Sequence, residues 1–328
     1  MFRHCRSAGA TVYRRTGTPS IVNIRTSRYS TRIPTRLVLK EPTVYICLNA
    51  GAIGIDLDLD RRAHLAKKIG YAAIDVSLEE IHEYLVSSRA ADLEKMMSSA
   101  GIVFGSAGLP VRWNGDEATY REDLAKLPVL LESGRSAGIS RISQWIPSVS
   151  DTRKFRSNFR WHIERLKPIA DLLAQYGFRL GLEFLGPRHL RLEGEYGFIS
   201  TVGGMLGFCE AIGAGNVGLL LDAFHWFTGY GTIADLLTLT NDDIVNVHLN
   251  DAIAGVAPED QNDDKRELPG DTGVIDLAGF LKALDEVGYD GPVAAEPFSE
   301  RLSAMPPEKA AQLAFDSIKG EWKAASLS

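Results

Sequence analysis

The chain has 328 residues, 45% hydrophobic and 24% charged, enough to bury a sizeable core in one barrel-sized domain. Its three widely spaced cysteines, Cys5, Cys47 and Cys209, exclude a disulfide framework or a Cys-rich zinc site and fit a reducing compartment, and no apolar run approaches the roughly 18 residues of a membrane span. Residues 1–40 carry eight Arg and Lys40 but no acid, a formal +9, so the −6 total leaves −15 for the remainder, an acidic body that opposes nucleic-acid binding.

The first 40 residues, rich in Arg, Ser and Thr and free of acids, have the composition of an organellar transit peptide. A disordered extension, or a start codon assigned upstream of the true one, has the same composition. The segment is excluded from the fold, which leaves residues 41–328 as one domain. The expected location is intracellular: the cytoplasm, or the mitochondrial matrix if the tail is a transit peptide.

From residue 43 onward, short runs rich in Val, Ile and Leu alternate with helix-length segments of mixed charge. Eight runs lie at 43–49, 71–77, 102–108, 139–147, 178–186, 216–226, 243–251 and 291–299. Gly70, Gly101, Gly138, Gly177, Gly215 and Gly288 stand where helix-like segments end, the position that favours a left-handed cap. Between the fourth and fifth runs, Phe155, Phe159, Ile163, Leu166, Ile169 and Leu173 recur at helical spacing, predicting a helix over 151–176 with these side chains on its buried face. Buried parallel strands covered by helices, with no Gly-x-Gly-x-x-Gly turn, predict a (β/α)8 TIM barrel rather than an open sheet.

Four of the apolar runs end in residues that bind metals: Glu183 in GLEFLG, Asp222 in GLLLDAFH, His248 in VNVHLND and Glu296 in VAAEPF. All four fall at the carboxyl ends of strands five to eight, the rim where barrels assemble active sites. Three carboxylates on one rim repel each other unless a cation compensates them, and a divalent metal meets that need. An oxygen-rich set with one imidazole suits Mn²⁺ best, then Mg²⁺ or Co²⁺, and also accommodates Zn²⁺. Changing Asp222 or His248 is expected to weaken metal binding at little cost to folding, because both sit on the rim and not in the packed layers.

These motifs, with LDxxH at Asp222 to His225, the RxLPGxxG run from Arg266 to Gly273 and GYDG at 288–291, resemble the xylose isomerase-like barrel superfamily, in its sugar isomerase and epimerase branch. The resemblance covers about residues 43–320. It implies that Glu183, Asp222, His248 and Glu296 hold the metal and that His225 and Arg266 contact substrate oxygens. Trp145, at the end of strand four, is either an apolar wall for a sugar ring or core packing; His189 is a candidate substrate contact, and Asp251 a candidate for orienting a metal ligand.

The expected chemistry is isomerisation or epimerisation of a keto-sugar or inosose through a metal-stabilised enediolate, with Glu183 and Glu296 as acid and base. A dehydratase acting on a keto-polyol is the alternative. A DNA-repair endonuclease of the same superfamily would need more histidines than the seven here, and a non-catalytic sugar-binding protein would have little reason to keep all four ligand types. Small sugars or polyols are the expected partners, with neither nucleic acid nor membrane; homo-oligomerisation is left open.

Overall fold

The computed structural model describes residues 44–327, so the basic extension lies outside the described residues. Each of the eight apolar runs contributes one parallel strand: β1 Tyr45–Leu48, β2 Ala73–Val76, β3 Val103–Gly108, β4 Arg141–Ile146, β5 Arg179–Phe184, β6 Val217–Asp222, β7 Ile244–Leu249 and β8 Pro292–Ala295. Each strand pairs with its neighbours in chain order and β8 closes on β1, so the barrel has no free edge. A two-residue antiparallel pair, Val149–Ser150 with Tyr196–Gly197, sits beyond the strand ends. The expected (β/α)8 barrel is the observed one.

The six expected glycines all have positive φ, from 68° at Gly101 to 109° at Gly70, and five lie one or two residues past a helix end; the helix Val202–Ile212 is capped by Gly213 and not by Gly215. At Gly70 the left-handed turn lets its N–H reach Ala66 O at 2.9 Å and stops the helix Leu59–Ile69 shortly before the chain enters β2 at Ala73.

Two apolar regions are separated by the sheet itself. The large one lies between strands and helices, where Ile74, Leu166, Ile169, Leu173, Leu182, Leu221 and Val247 are fully buried. Inside the barrel a small cluster forms from Cys47, Ala73 and Ala294, flanked by Tyr45 and Val103. Side chains this small on β1, β2 and β8 leave space above them at the barrel mouth.

Two sequence expectations need correction. The helix in the fourth βα unit spans Phe155–Gln175, and Phe155 is 52% exposed, because its ring stacks on Phe159 and Phe198 at the edge of an aromatic cluster and does not enter the core. The run 216–226 is not strand throughout: Asp222 ends β6 by accepting hydrogen bonds from Phe224 N at 2.7 Å and His225 N at 2.9 Å, which starts the helix Ala223–Thr228. His225 therefore stands on a helix, not in a loop.

His162, on the inner face of the helix Phe155–Gln175, makes folding pH-dependent. Its ring is 3% exposed and stacks 4.7 Å from Phe198; Nδ1 donates to Asn158 O at 2.8 Å, while Nε2 has no partner. Burial pushes its pKa down from 6.5 to about 4. The stability linked to the neutral ring is thus present above pH 6.5 and drains as pH falls from 6.5 towards 4, at up to about 1.4 kcal/mol per pH unit. His162→Phe is expected to lose less melting temperature than wild type between pH 7 and pH 4.5. Equal losses in the two proteins would assign the effect to other groups.

Candidate metal centre

Strand alternation carries the four metal-binding candidates to the same place. Ala294 pairs with His248 across β8 and β7, Asp222 pairs with His248 across β6 and β7, and Trp145 pairs with Glu183 across β4 and β5. Glu296 lies two residues beyond Ala294 and so faces inward with it. Glu183, Asp222, His248 and Glu296 each offer a ligand atom, and these atoms all lie within 4.8 Å of one another.

The charges in this cluster are only partly compensated by the protein. Arg266 Nη1 donates to Asp222 Oδ2 and to Glu296 Oε2, both at 3.2 Å, and His248 Nδ1 lies 3.2 Å from Glu296 Oε2. Glu183 Oε1 is buried with no hydrogen-bond partner, the state expected of an atom whose partner is a metal, while His248 Nδ1 has only the ion-pair contact with Glu296. Burial raises the Glu183 carboxyl well above the ordinary range, and the charges of Glu296 and Asp222 add to the effect. Burial would lower His248, but Glu296, Glu183 and Asp222 outweigh it and push its pKa up to about 10. For Asp222, burial is opposed by Arg266, His225 and His248, and the pKa falls below the usual value. Three carboxylates and an imidazole, with Glu183 Oε1 left without a partner, fit a divalent cation.

Arg266 is 4% exposed, so it is not a surface residue of the polar loop. Besides the two carboxylates, its guanidinium reaches Asp263 Oδ1 at 2.8 Å and packs between the rings of Phe224 and Phe298, 4.9 and 4.6 Å away. Arg266 thus pairs with Asp263 and also reaches Asp222 and Glu296. His225 is 1% exposed, with Nε2 at 3.3 Å from Arg266 Nη2 and 3.9 Å from Glu183 Oε1. Burial lowers its pKa and keeps the ring neutral.

Asp251 is placed differently from expectation. Its carboxylate reaches none of the four ligand side chains; it accepts from the backbone N–H groups of Ala252, Thr272, Gly273 and Ile275 at 2.7–3.1 Å. Its own backbone exchanges two hydrogen bonds with Glu267, the residue after Arg266. Asp251 thus fixes the loop that delivers Arg266. The residue that touches a ligand from behind is Asn250, fully buried, whose Nδ2 donates to Asp222 Oδ2 at 2.8 Å. An asparagine in LND beside the conspicuous Asp251 gave no periodic signal of its own.

Trp145 is 50% exposed and therefore not core packing; with Leu109, Trp113 and Gln144 it lines a cleft of about 480 Å³ on the β3–β4 side of the mouth. His189 is half-buried on the short helix Arg188–Leu192 after β5 and makes no hydrogen bond to the four-residue cluster.

The xylose isomerase-like TIM barrel family model matches residues 63–320. The chain belongs to the xylose isomerase-like TIM barrel family. Among xylose isomerase-like proteins of known structure, a xylose isomerase domain protein from Alicyclobacillus acidocaldarius superposes with a TM-score of 0.78 at 32% identity, over 87% of this chain and 100% of that one. The IolI protein, solved with a bound zinc atom, has a TM-score of 0.72 at 22% identity, over 86% of this chain and 99% of its own, and shows the shared fold. In sequence, an inosose isomerase from Halalkalibacterium halodurans is 26% identical over 279 residues, spanning 83% of this chain and 94% of the relative. Among the described residues no helix is long and apolar enough to cross a membrane.

Proposed function

We propose that this protein is a divalent-metal-dependent isomerase or epimerase of a keto-sugar or inosose. The observation that carries this reading is the convergence of ligand atoms of Glu183, Asp222, His248 and Glu296 within 4.8 Å, with Glu183 Oε1 buried and unpartnered. The likeness to an inosose isomerase along nearly its whole length supports the substrate class.

Glu183, Asp222, His248 and Glu296 would hold a divalent cation, which would supply Lewis acidity to a substrate carbonyl and so acidify the hydrogen on the adjacent hydroxyl-bearing carbon. The donor set favours Mn²⁺ and accommodates Mg²⁺, Co²⁺ or Zn²⁺. Glu183 on β5 and Glu296 beyond β8 approach from separate strands. One removes the proton from the substrate carbon and the other returns a proton to the opposite face or to the adjacent carbon. The Arg266 guanidinium and the neutral His225 ring hold substrate oxygens as negative charge builds on them. Phe224 and Phe298, packed on Arg266, keep its planar head in place and limit water around it.

The purified protein is expected to bind one divalent ion per chain, to lose turnover on chelation and to regain it on metal return. Products formed from a panel of ketoses, inososes and 3-keto-glycosides identify the reaction and separate isomerisation from dehydration. Full turnover in exhaustively metal-free buffer would remove the metal from the reaction.

A further inference from the structure

Opposite the metal ligands, the barrel mouth contains a carboxylate for which the proposed chemistry has no use. Asp75 stands on β2, two residues after Ala73, whose Cα partner on β1 is Cys47; Cys47 in turn pairs with Ala294 on β8. Since Ala294 pairs with His248 and shares a face with Glu296, the alternation of side chains puts Asp75 on the same inner face as those two ligands. Its charge acts on both His248 and Glu296.

The position of Asp75 is built by three strands. The register between β2 and β3 shifts between Ile74 and Val76, a bulge that takes the Ser106 N–H out of the ladder. That N–H donates to Asp75 Oδ1 at 2.6 Å, and Cys47 Sγ donates to the same oxygen at 3.2 Å. Gly105 is required here because a Cβ would overlap both Cys47 Sγ and Asp75 Oδ1. Ser106 Oγ continues the network to Ser143 Oγ at 2.8 Å, and Asn246 Nδ2 spans Ser143 Oγ at 3.2 Å and His248 Nε2 at 3.4 Å. A polar belt therefore crosses the barrel beneath the metal ligands, with Asp75 at one end and His248 at the other.

Asp75 Oδ1 is satisfied by two donors, whereas Oδ2 accepts no hydrogen bond among the described residues, and the residue is only half-buried. No Arg or Lys among the described residues pairs with it. Burial raises its pKa, and the Ser106 N–H and Cys47 S–H oppose that rise. An acceptor fixed on one oxygen and open on the other, on the inner face of the barrel and only partly buried, suits a ligand hydroxyl.

We infer that Asp75 is a substrate-recognition residue whose Oδ2 accepts a hydrogen bond from a hydroxyl of an uncharged polyol, and that it makes the site reject phosphorylated or carboxylated sugars. This rests on the proposed isomerase or epimerase reading and narrows its substrate class to neutral polyhydroxy ketones.

The test uses the metal-loaded full chain with an inosose, a free ketohexose and the matching ketohexose 1-phosphate. Wild type is expected to use a neutral probe with kcat/KM at least about 10-fold above that for the phosphate. Asp75→Asn keeps an oxygen for Ser106 and Cys47 but turns a neutral amide donor to the cavity. It should raise KM for the neutral substrate by about 10- to 100-fold, the effect of losing one hydrogen bond to a charged group, with kcat and metal content nearly unchanged. It should also narrow the gap to the phosphate. An unchanged KM in folded, metal-loaded Asp75→Asn overturns the inference, and so does a wild-type preference for the phosphate, a result that requires no variant. If wild type turns over none of the three probes and binds no polyol, the functional reading itself fails and the role of Asp75 falls with it.

Discussion

Turnover by the Glu296→Gln protein is expected to fall by about 10² to 10⁴ while metal and substrate remain bound. The amide preserves the shape of the side chain and one ligating oxygen but cannot take a proton from carbon. Glu296 Oε2 sits 3.2 Å from both His248 Nδ1 and Arg266 Nη1, so the amide orientation that keeps its oxygen at that position retains both contacts and the cluster need not collapse. Glu183→Gln is expected to show the same loss together with weaker metal binding, because Glu183 Oε1 has no other partner to hold the side chain in place. Single-turnover rates and metal content measured on the same samples separate the two effects, and solvent deuterium at the product carbon reports the proton transfer directly. Near-normal turnover in both variants with metal bound would rule out proton transfer by these two carboxylates.

Asp222→Asn is expected to lower metal affinity at least about 100-fold and, in addition, to lower the melting temperature by a few degrees. The rim position alone suggested little cost to folding. The structure adds that cost through the partners of the carboxylate: Oδ1 accepts from Phe224 N and His225 N, and Oδ2 accepts from Asn250 Nδ2 at 2.8 Å and Arg266 Nη1 at 3.2 Å. All four partners are donors. An amide NH₂ group therefore faces other donors whichever way it is turned, leaving a buried donor unsatisfied at about 1–3 kcal/mol. Direct metal titration alongside thermal melting of the apo and loaded proteins gives both quantities. Unchanged metal affinity in a folded variant would mean that Asp222 serves only as the helix cap.

The arrangement around Asp222 also shows how far residue patterns reach. Its place at the end of an apolar run was readable, since a buried strand seldom ends in charge without a partner. That the same carboxylate caps a helix was not readable, because AFHW continues the apolar character of the strand and only the two hydrogen bonds to Oδ1 turn the chain. Arg266 and Asp251 share this limit. Both lie in a polar loop without periodicity, and which of them enters the site depends on Asp251 binding four backbone amides and so carrying Arg266 inward.

The sequence by itself determined the eight strands, most of the glycine-marked helix ends and the four candidate metal-binding side chains at the strand ends, because each follows from a repeat along one segment: alternation in a strand, 3.6 residues in a helix, and one strand end per βα unit. Only the tertiary structure decided what those segments meet across the barrel. The bulge that frees Ser106 N–H for Asp75, the Asn246 link beneath His248 and the guanidinium of Arg266 between two carboxylates join residues about 30 to 100 positions apart. Such contacts depend on the stagger of closed strands and on the path of one loop, which are set by the packing of the whole barrel and leave no period in the chain.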